Sequence, residues 1–239
     1  MMIAAALLSL MAPAELNGTV VFSAGLGGVA NYRIPAVVQT GGPNPATVAF
    51  AEARDGGDSS ASRIAVRSST DAGATWSPVV FAAGSVIKSS ACTETNITSC
   101  RSGNPAAVYD SGSSTVVLLY VARGFGSGED PVGNGIVRSS SGGKTWSAPT
   151  DVSSGFGAAS GSMPGPGTAL QLSHESHSHP GRLLVVSHHG AYQHDYVTVS
   201  DDQGSSWKTI NQTFPAMDEV WGPTTLTIAR HDGPSHPGL

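Results

Sequence analysis

The 239-residue sequence predicts an all-β domain built from repeated antiparallel units, and three observations carry that prediction. Glycine and proline are abundant, at 30 and 15 residues, while only 12% of residues are charged and 6% aromatic. That balance is too turn-rich for a helical bundle and too regular in its apolar spacing for a disordered chain. Short apolar or alternating runs recur between turn-forming clusters, and few segments place apolar residues at helical spacing. Finally, one frame ending in tryptophan occurs three times along the chain.

The runs fall at 19–22, 36–39, 46–51, 64–67, 79–81, 115–121, 135–138, 183–187 and 196–200. Their lengths suit strands of about five to six residues. Antiparallel strands of this kind can close a sandwich, a barrel or a ring of blades, and periodicity does not choose among them. The repeat does. Residues 69–76 read STDAGATW, 139–146 read SSSGGKTW and 200–207 read SDDQGSSW, each after an apolar run. The shared frame is S-x-D-x-G-x-(T/S)-W, with Ser141 replacing the aspartate in the second copy.

Such a frame describes a hairpin turn. The aspartate or serine accepts backbone N–H groups two residues on, the glycine supplies a left-handed backbone, and the tryptophan packs back on its sheet. Asp71, Asp202, Trp76, Trp146 and Trp207 are therefore structural candidates. The tryptophans lie 70 and 61 residues apart, longer than one compact four-stranded unit of about 40–50 residues. Each unit must carry long loops, which are natural carriers of a binding site.

A net charge of −5 argues against nucleic-acid or anionic-membrane partners, although it leaves room for a local basic pocket. Residues 1–14, MMIAAALLSLMAPA, have the apolar centre and small-residue end of a secretory signal without its basic start; the competing reading is a packed first strand or helix. The stretch is too short to span a bilayer, and no later stretch offers about 20 uninterrupted apolar residues. Cys92 and Cys100, the only cysteines, could close a short loop in an oxidising compartment. Sequons at Asn17, Asn96 and Asn211 could carry glycans there. Eight scattered histidines and two cysteines form no metal pattern, so no metal or other cofactor is expected.

The repeated frame resembles the Asp box of sialidases. Tyr32-Arg33-Ile34-Pro35, upstream of the first box, resembles that family's FRIP/YRIP motif, and further matches follow in order. They are Ala51-Glu52-Ala53-Arg54, Gly103-Asn104-Pro105-Ala106, Gly165-Pro166-Gly167 and Met217-Asp218-Glu219. Similar boxes occur in other folds, so the order from YRIP to box is the specific signal. The resemblance implies a six-bladed β-propeller, of which residues 15–239 supply about three to four blades. It implies removal of terminal sialic acid from glycoconjugates by a secreted or lumenal exo-α-sialidase.

Residue roles follow from the same resemblance. Arg33 would grip the sialic acid carboxylate, a bidentate match of guanidinium to carboxylate. Arg54 would support that pocket or pair with Asp55. In the loop after Arg54, Asp58 would be the general acid/base, one residue nearer to the arginine than the family's usual spacing, with Asp55 as the alternative. Glu219 would take the proton of a nucleophilic tyrosine. That tyrosine and further arginines would lie beyond Leu239, because Tyr120, Tyr192 and Tyr196 come too early and Arg230 has the wrong local pattern. The rival reading is an inactive sialidase-like scaffold that binds glycans.

Overall fold

The computed structural model describes residues 18–57, 60–83, 100–124, 133–156, 163–172, 178–189 and 194–210. Three up-and-down antiparallel units follow one another. The first contains β1 (Asn31–Gln39), β2 (Thr47–Arg54), β3 (Ser62–Ser69) and β4 (Val80–Ala83). The second contains β5 (Cys100–Asp110), β6 (Thr115–Gly124), β7 (Gly133–Ser139) and β8 (Thr150–Asp151). In the third, a broken first strand, β9 (Met163–Pro164), β10 (Gly167–Thr168) and β11 (Leu170–Gln171), precedes β12 (Leu183–His189), β13 (His194–Ser200) and β14 (Lys208–Ile210). These are blades of a propeller-type array. They meet through short bridges: Ser62 of β3 pairs with Arg101 of β5, and Gly167 and Thr168 of β10 run parallel to Ala106 and Ala107 of β5.

Two sequence expectations are corrected. Residues 19–22 join no ladder; they cross blade 1, where Arg67 Nη1 donates to the Val21 carbonyl at 2.5 Å and Phe22 packs on Tyr32 with ring centroids 4.9 Å apart. The first strand begins at Asn31, five residues before the predicted 36–39 run, because its ladder continues through Pro35 by means of a bulge. The expected signal at 1–14, Cys92 and all three sequon asparagines lie outside the described residues, so the division of the chain at residue 14 does too.

Each box joins the third strand of a blade to the fourth. In the first, Ser69 Oγ donates to Asp71 Oδ1 at 2.7 Å and accepts the Gly73 N–H at 2.8 Å, while Asp71 Oδ1 accepts the Thr75 N–H at 2.9 Å. Trp76 Nε1 donates to the Gly73 carbonyl at 3.0 Å. Box three repeats this with Ser200, Asp202, Gly204, Ser206 and Trp207. The aspartate thus caps an N–H four residues on, not two, because the intervening turn holds two successive left-handed residues. These are Ala72 and Gly73 (φ 56° and 90°), Gly142 and Gly143 (65° and 85°), and Gln203 and Gly204 (61° and 85°). This is the type I′ pattern that matches strand twist.

Strand alternation sends successive residues to opposite faces, so each blade packs a different residue set on each neighbour. Val48 and Phe50 of β2 face blade 2 and share a core with Ala107, Val116, Leu118 and Tyr120. The opposite face of blade 2, with Val108, Val117 and Leu119, packs on Leu183, Val185 and Trp207 of blade 3. The second and third boxes staple their blades to the preceding ones. Trp146 meets Phe50 edge-on at 5.7 Å, and Arg138 Nη2 donates to the Gly204 carbonyl.

Candidate active site

The candidate site forms where β1 begins and β2 ends. Ladder pairing in β1 breaks between Arg33, opposite Glu52, and Ala36, opposite Phe50, with Ile34 at φ 53°. A β-branched residue in that region is an outlier and costs of order 1–3 kcal/mol. In β5 the ladder breaks in the same register, between Gly103 opposite Val121 and Ala106 opposite Leu119, with Asn104 at φ 47° before Pro105. Pro105 and Pro35 bring no N–H to the bulge, where a ladder partner is missing anyway. In blade 3, Gly165 at φ 65° precedes Pro166 through a cis peptide bond. The Ile-Pro half of the motif is therefore a repeated bulge of the inner strands. What differs is the residue it presents: Arg33, exposed, in blade 1 and Gly103 in blade 2.

Opposite Arg33 lies a carboxylate that the sequence reading did not single out. Glu52 is buried; its Oε2 accepts Arg54 Nε at 2.7 Å, and its Oε1 accepts the Asn104 N–H at 2.7 Å. It ties blade 1 to the bulge of blade 2. Gly103 is required beside it, since a Cβ there would lie 2.6 Å from Glu52 Oε1. The available signal was a glutamate inside the otherwise apolar Thr47–Arg54 strand. Arg54 is also buried, with Nε and Nη2 both on Glu52. Ser62 pairs with Arg54 on one side and Arg101 on the other. Three arginines, Arg33, Arg54 and Arg101, thus occupy neighbouring strand ends of an acidic chain, and Arg101 was missed because no motif marks it.

Asp58 lies outside the described residues, but the stalk of its loop is closed and anchored. The Asp55 N–H donates to the Ala61 carbonyl at 3.2 Å, and Ser60 Oγ accepts the Gly56 N–H at 3.1 Å while donating to the Gly57 carbonyl at 2.7 Å. Asn31 Nδ2 donates to the Gly56 carbonyl at 2.5 Å, pinning the loop to the strand that carries Arg33. Asp55 itself is exposed. Glu219, Arg230 and Tyr192 lie outside the described residues. Tyr120 is core: it is fully buried against Gly135, its hydroxyl has no hydrogen-bond partner, and burial pushes its pKa far above the ordinary tyrosine value. Among the described residues no group of three His, Cys, Asp or Glu could hold a metal ion, and no helix is long and apolar enough to cross a membrane.

Bladed meanders, Asp-type boxes at every third-to-fourth-strand turn and bulged inner strands define a sialidase-like repeat protein. The BNR repeat-like domain family matches residues 46–232, and the chain belongs to that family. Solved structures share the fold. A Hadza microbial sialidase, Hz136, aligns with a TM-score of 0.64 at 21% identity over 79% of this chain and 38% of its own. The NanB sialidase from Streptococcus pneumoniae aligns with 0.63 at 16% identity over 83% and 46%. An exo-β-1,3-galactanase from Phanerochaete chrysosporium aligns with 0.55 at 13% identity over 82% and 41%. The chain therefore spans less than half the length of these structures, and the fold they share serves glycosidases with different substrates.

Proposed function

We propose that this chain carries the carboxylate-gripping part of an exo-α-sialidase site. The observation that carries the reading is the strained bulge at Ile34-Pro35, which presents exposed Arg33 beside the anchored Asp55–Ala61 loop. The same bulge recurs in blade 2, where it presents Gly103, so what distinguishes blade 1 is the exposed guanidinium that its bulge carries. Arg33 binds the sialic acid carboxylate, and Arg54, held by Glu52, supports the pocket by fixing the strand end behind it. The acid/base is Asp58, with Asp55 as the alternative; it protonates the departing glycosidic oxygen and then deprotonates the attacking water. Glu219 takes the phenolic proton of a tyrosine nucleophile. Sialylated glycans are the substrate class, the setting is secreted or lumenal, and no metal enters the chemistry.

Incubating the chain with a fluorogenic α-sialoside tests this directly. Release above the level of an Arg33→Ala control is the expected sign of turnover and excludes the inactive reading. Absence of release together with carboxylate-dependent binding would assign the chain a glycan-binding role, and absence of both would overturn the proposal.

A further inference from the structure

The box serines Ser69, Ser139 and Ser200 pair with Thr47, Val116 and Leu183, and the position five residues further along each of those strands is Glu52 in blade 1, Val121 in blade 2 and His188 in blade 3. The inner strands agree, because Arg33 pairs with Glu52, Gly103 with Val121 and Met163 with His188. All three residues are buried. The position therefore belongs to the packing of each blade, yet its occupants differ in chemistry. Val121 fills it with an apolar group, and His188 Nε2 lies 3.1 Å from the Met163 sulfur. The blade asks for burial there and not for a charge.

Blade 1 nevertheless keeps a carboxylate, 3% exposed, against an arginine that is 6% exposed. The desolvation of such a pair often outweighs the attraction within it, so stability does not explain why the pair is there. Its contacts point elsewhere. Glu52 Oε2 accepts both Nε and Nη2 of Arg54, two donors that together fix the plane of the guanidinium. Glu52 Oε1 accepts the N–H of Asn104 at 2.7 Å, and Asn104 is the left-handed residue of the blade 2 bulge. Gly103, just before it, is barred to a side chain by Glu52 alone: a Cβ would lie 2.6 Å from Oε1, whereas the nearest atom outside Glu52 is a Val121 methyl 3.8 Å away.

We propose that Glu52 is a positioning residue of the carboxylate-gripping site, through which the bulge of blade 2 sets the orientation of Arg54 beside the strand that carries Arg33. The inference rests on the proposed sialic acid site and adds that two blades build it. Glu52 is buried with both oxygens engaged, so it acts through Arg54 and not on the ligand. A group held in place before its ligand arrives loses less freedom on binding than one that must first be ordered. The charged hydrogen bond to the Asn104 N–H supplies that hold from a separate blade, where a carboxylate with Arg54 as its sole partner would leave the pair to move together.

The test is calorimetric titration of the full chain with sialic acid and with its methyl ester, in wild type, Glu52→Gln, Gly103→Ala and the double variant. Glu52→Gln keeps the shape and an oxygen for Asn104 but turns an amide towards Arg54. Gly103→Ala removes no charge, and its Cβ meets the far end of a flexible side chain, so the fold accommodates it by displacing the Glu52 carboxylate. Each single variant should bind the free acid about tenfold more weakly, the scale of one charged hydrogen bond, with the ester little changed. The double variant should be no worse than the weaker single one, because both substitutions act through one carboxylate. Urea unfolding of the same samples separates the alternatives, since a purely structural Glu52 shifts the midpoint and leaves the affinity of the folded chain intact. Undiminished free-acid affinity in either folded single variant, or losses that add in the double, would overturn the role of Glu52 and leave the sialic acid site standing. A wild-type chain with no preference for the free acid would overturn both.

Discussion

At the scale of single residues, the second box shows what its aspartate position is for. Ser141 Oγ accepts the Thr145 N–H at 2.9 Å and lies 2.8 Å from Thr145 Oγ1, the two contacts that Asp71 makes to Thr75 with two oxygens. A neutral oxygen suffices for the turn; the carboxylate adds a dependence on pH. Hydrogen bonds from the Thr75 hydroxyl and N–H hold Asp71 down at about 2. For Asp202, burial pushes upward but the Ser206 hydroxyl and N–H outweigh it, so the net shift is again downward. A depressed carboxylate contributes stability that is present above its unfolded pKa near 3.9 and lost as pH falls through the folded value. Asp71→Ser, which copies the second box, should therefore fold at neutral pH and lose less stability than wild type between pH 4 and 2, as read from thermal melts across that range. Equal acid sensitivity in the two proteins would remove the first box from the account.

At the scale of elements, the turn and the bulge set the outcome of substitutions. Gly143 combines φ 85° with a prospective Cβ 2.7 Å from Val48, whereas Gly204 has the same φ but 3.5 Å to Val117. Gly143→Ala should cost about 2–4 kcal/mol, from left-handed strain plus overpacking, and Gly204→Ala about 1–2 kcal/mol, from strain alone. Urea unfolding measures both, and trimming the partner in Gly143→Ala/Val48→Ala should recover part of the loss. The boxes were legible in the sequence because a type I′ turn with a capped end demands particular residue types at fixed offsets. The inner-strand bulge was not, because Ile34, Asn104 and Gly165 share a backbone conformation and no side-chain chemistry. The long strand Cys100–Asp110 is absent from the predicted runs, since Pro105 interrupts its pattern. Glu52 escaped notice for a related reason: a buried carboxylate is explained by Arg54 and the Asn104 N–H, and the latter comes from a strand 52 residues away.

Across the whole molecule, one motif position has three different environments. Trp207 is almost fully buried beside Phe156, Trp146 meets Phe50 of the preceding blade, and Trp76 lines the open cleft. Trp207→Ala should cost about 3–5 kcal/mol of folding stability, the usual loss for a large buried aromatic. Trp76→Ala should cost less than half as much, because Trp76 is half-buried on an open cleft, a contrast that urea titration of the two variants reads directly. The sequence placed three boxes in order and marked Arg33 as a candidate; the folded array adds that Arg33, Arg54 and Arg101 occupy neighbouring strand ends at the junction of two blades, beside a loop pinned by Asn31. Of these, Arg54 is buried and neutralised by Glu52, so exposed Arg33 is the cation that the proposed function assigns to an anionic sugar. Calorimetric titration with free sialic acid and with its methyl ester therefore tests the central claim most directly. The account predicts that the chain binds the free acid, that the ester binds about 10–100-fold more weakly, as expected for loss of a charged hydrogen-bonded pair, and that Arg33→Ala abolishes the difference. Equal binding of acid and ester by the wild-type chain, or an undiminished preference in Arg33→Ala, would contradict it.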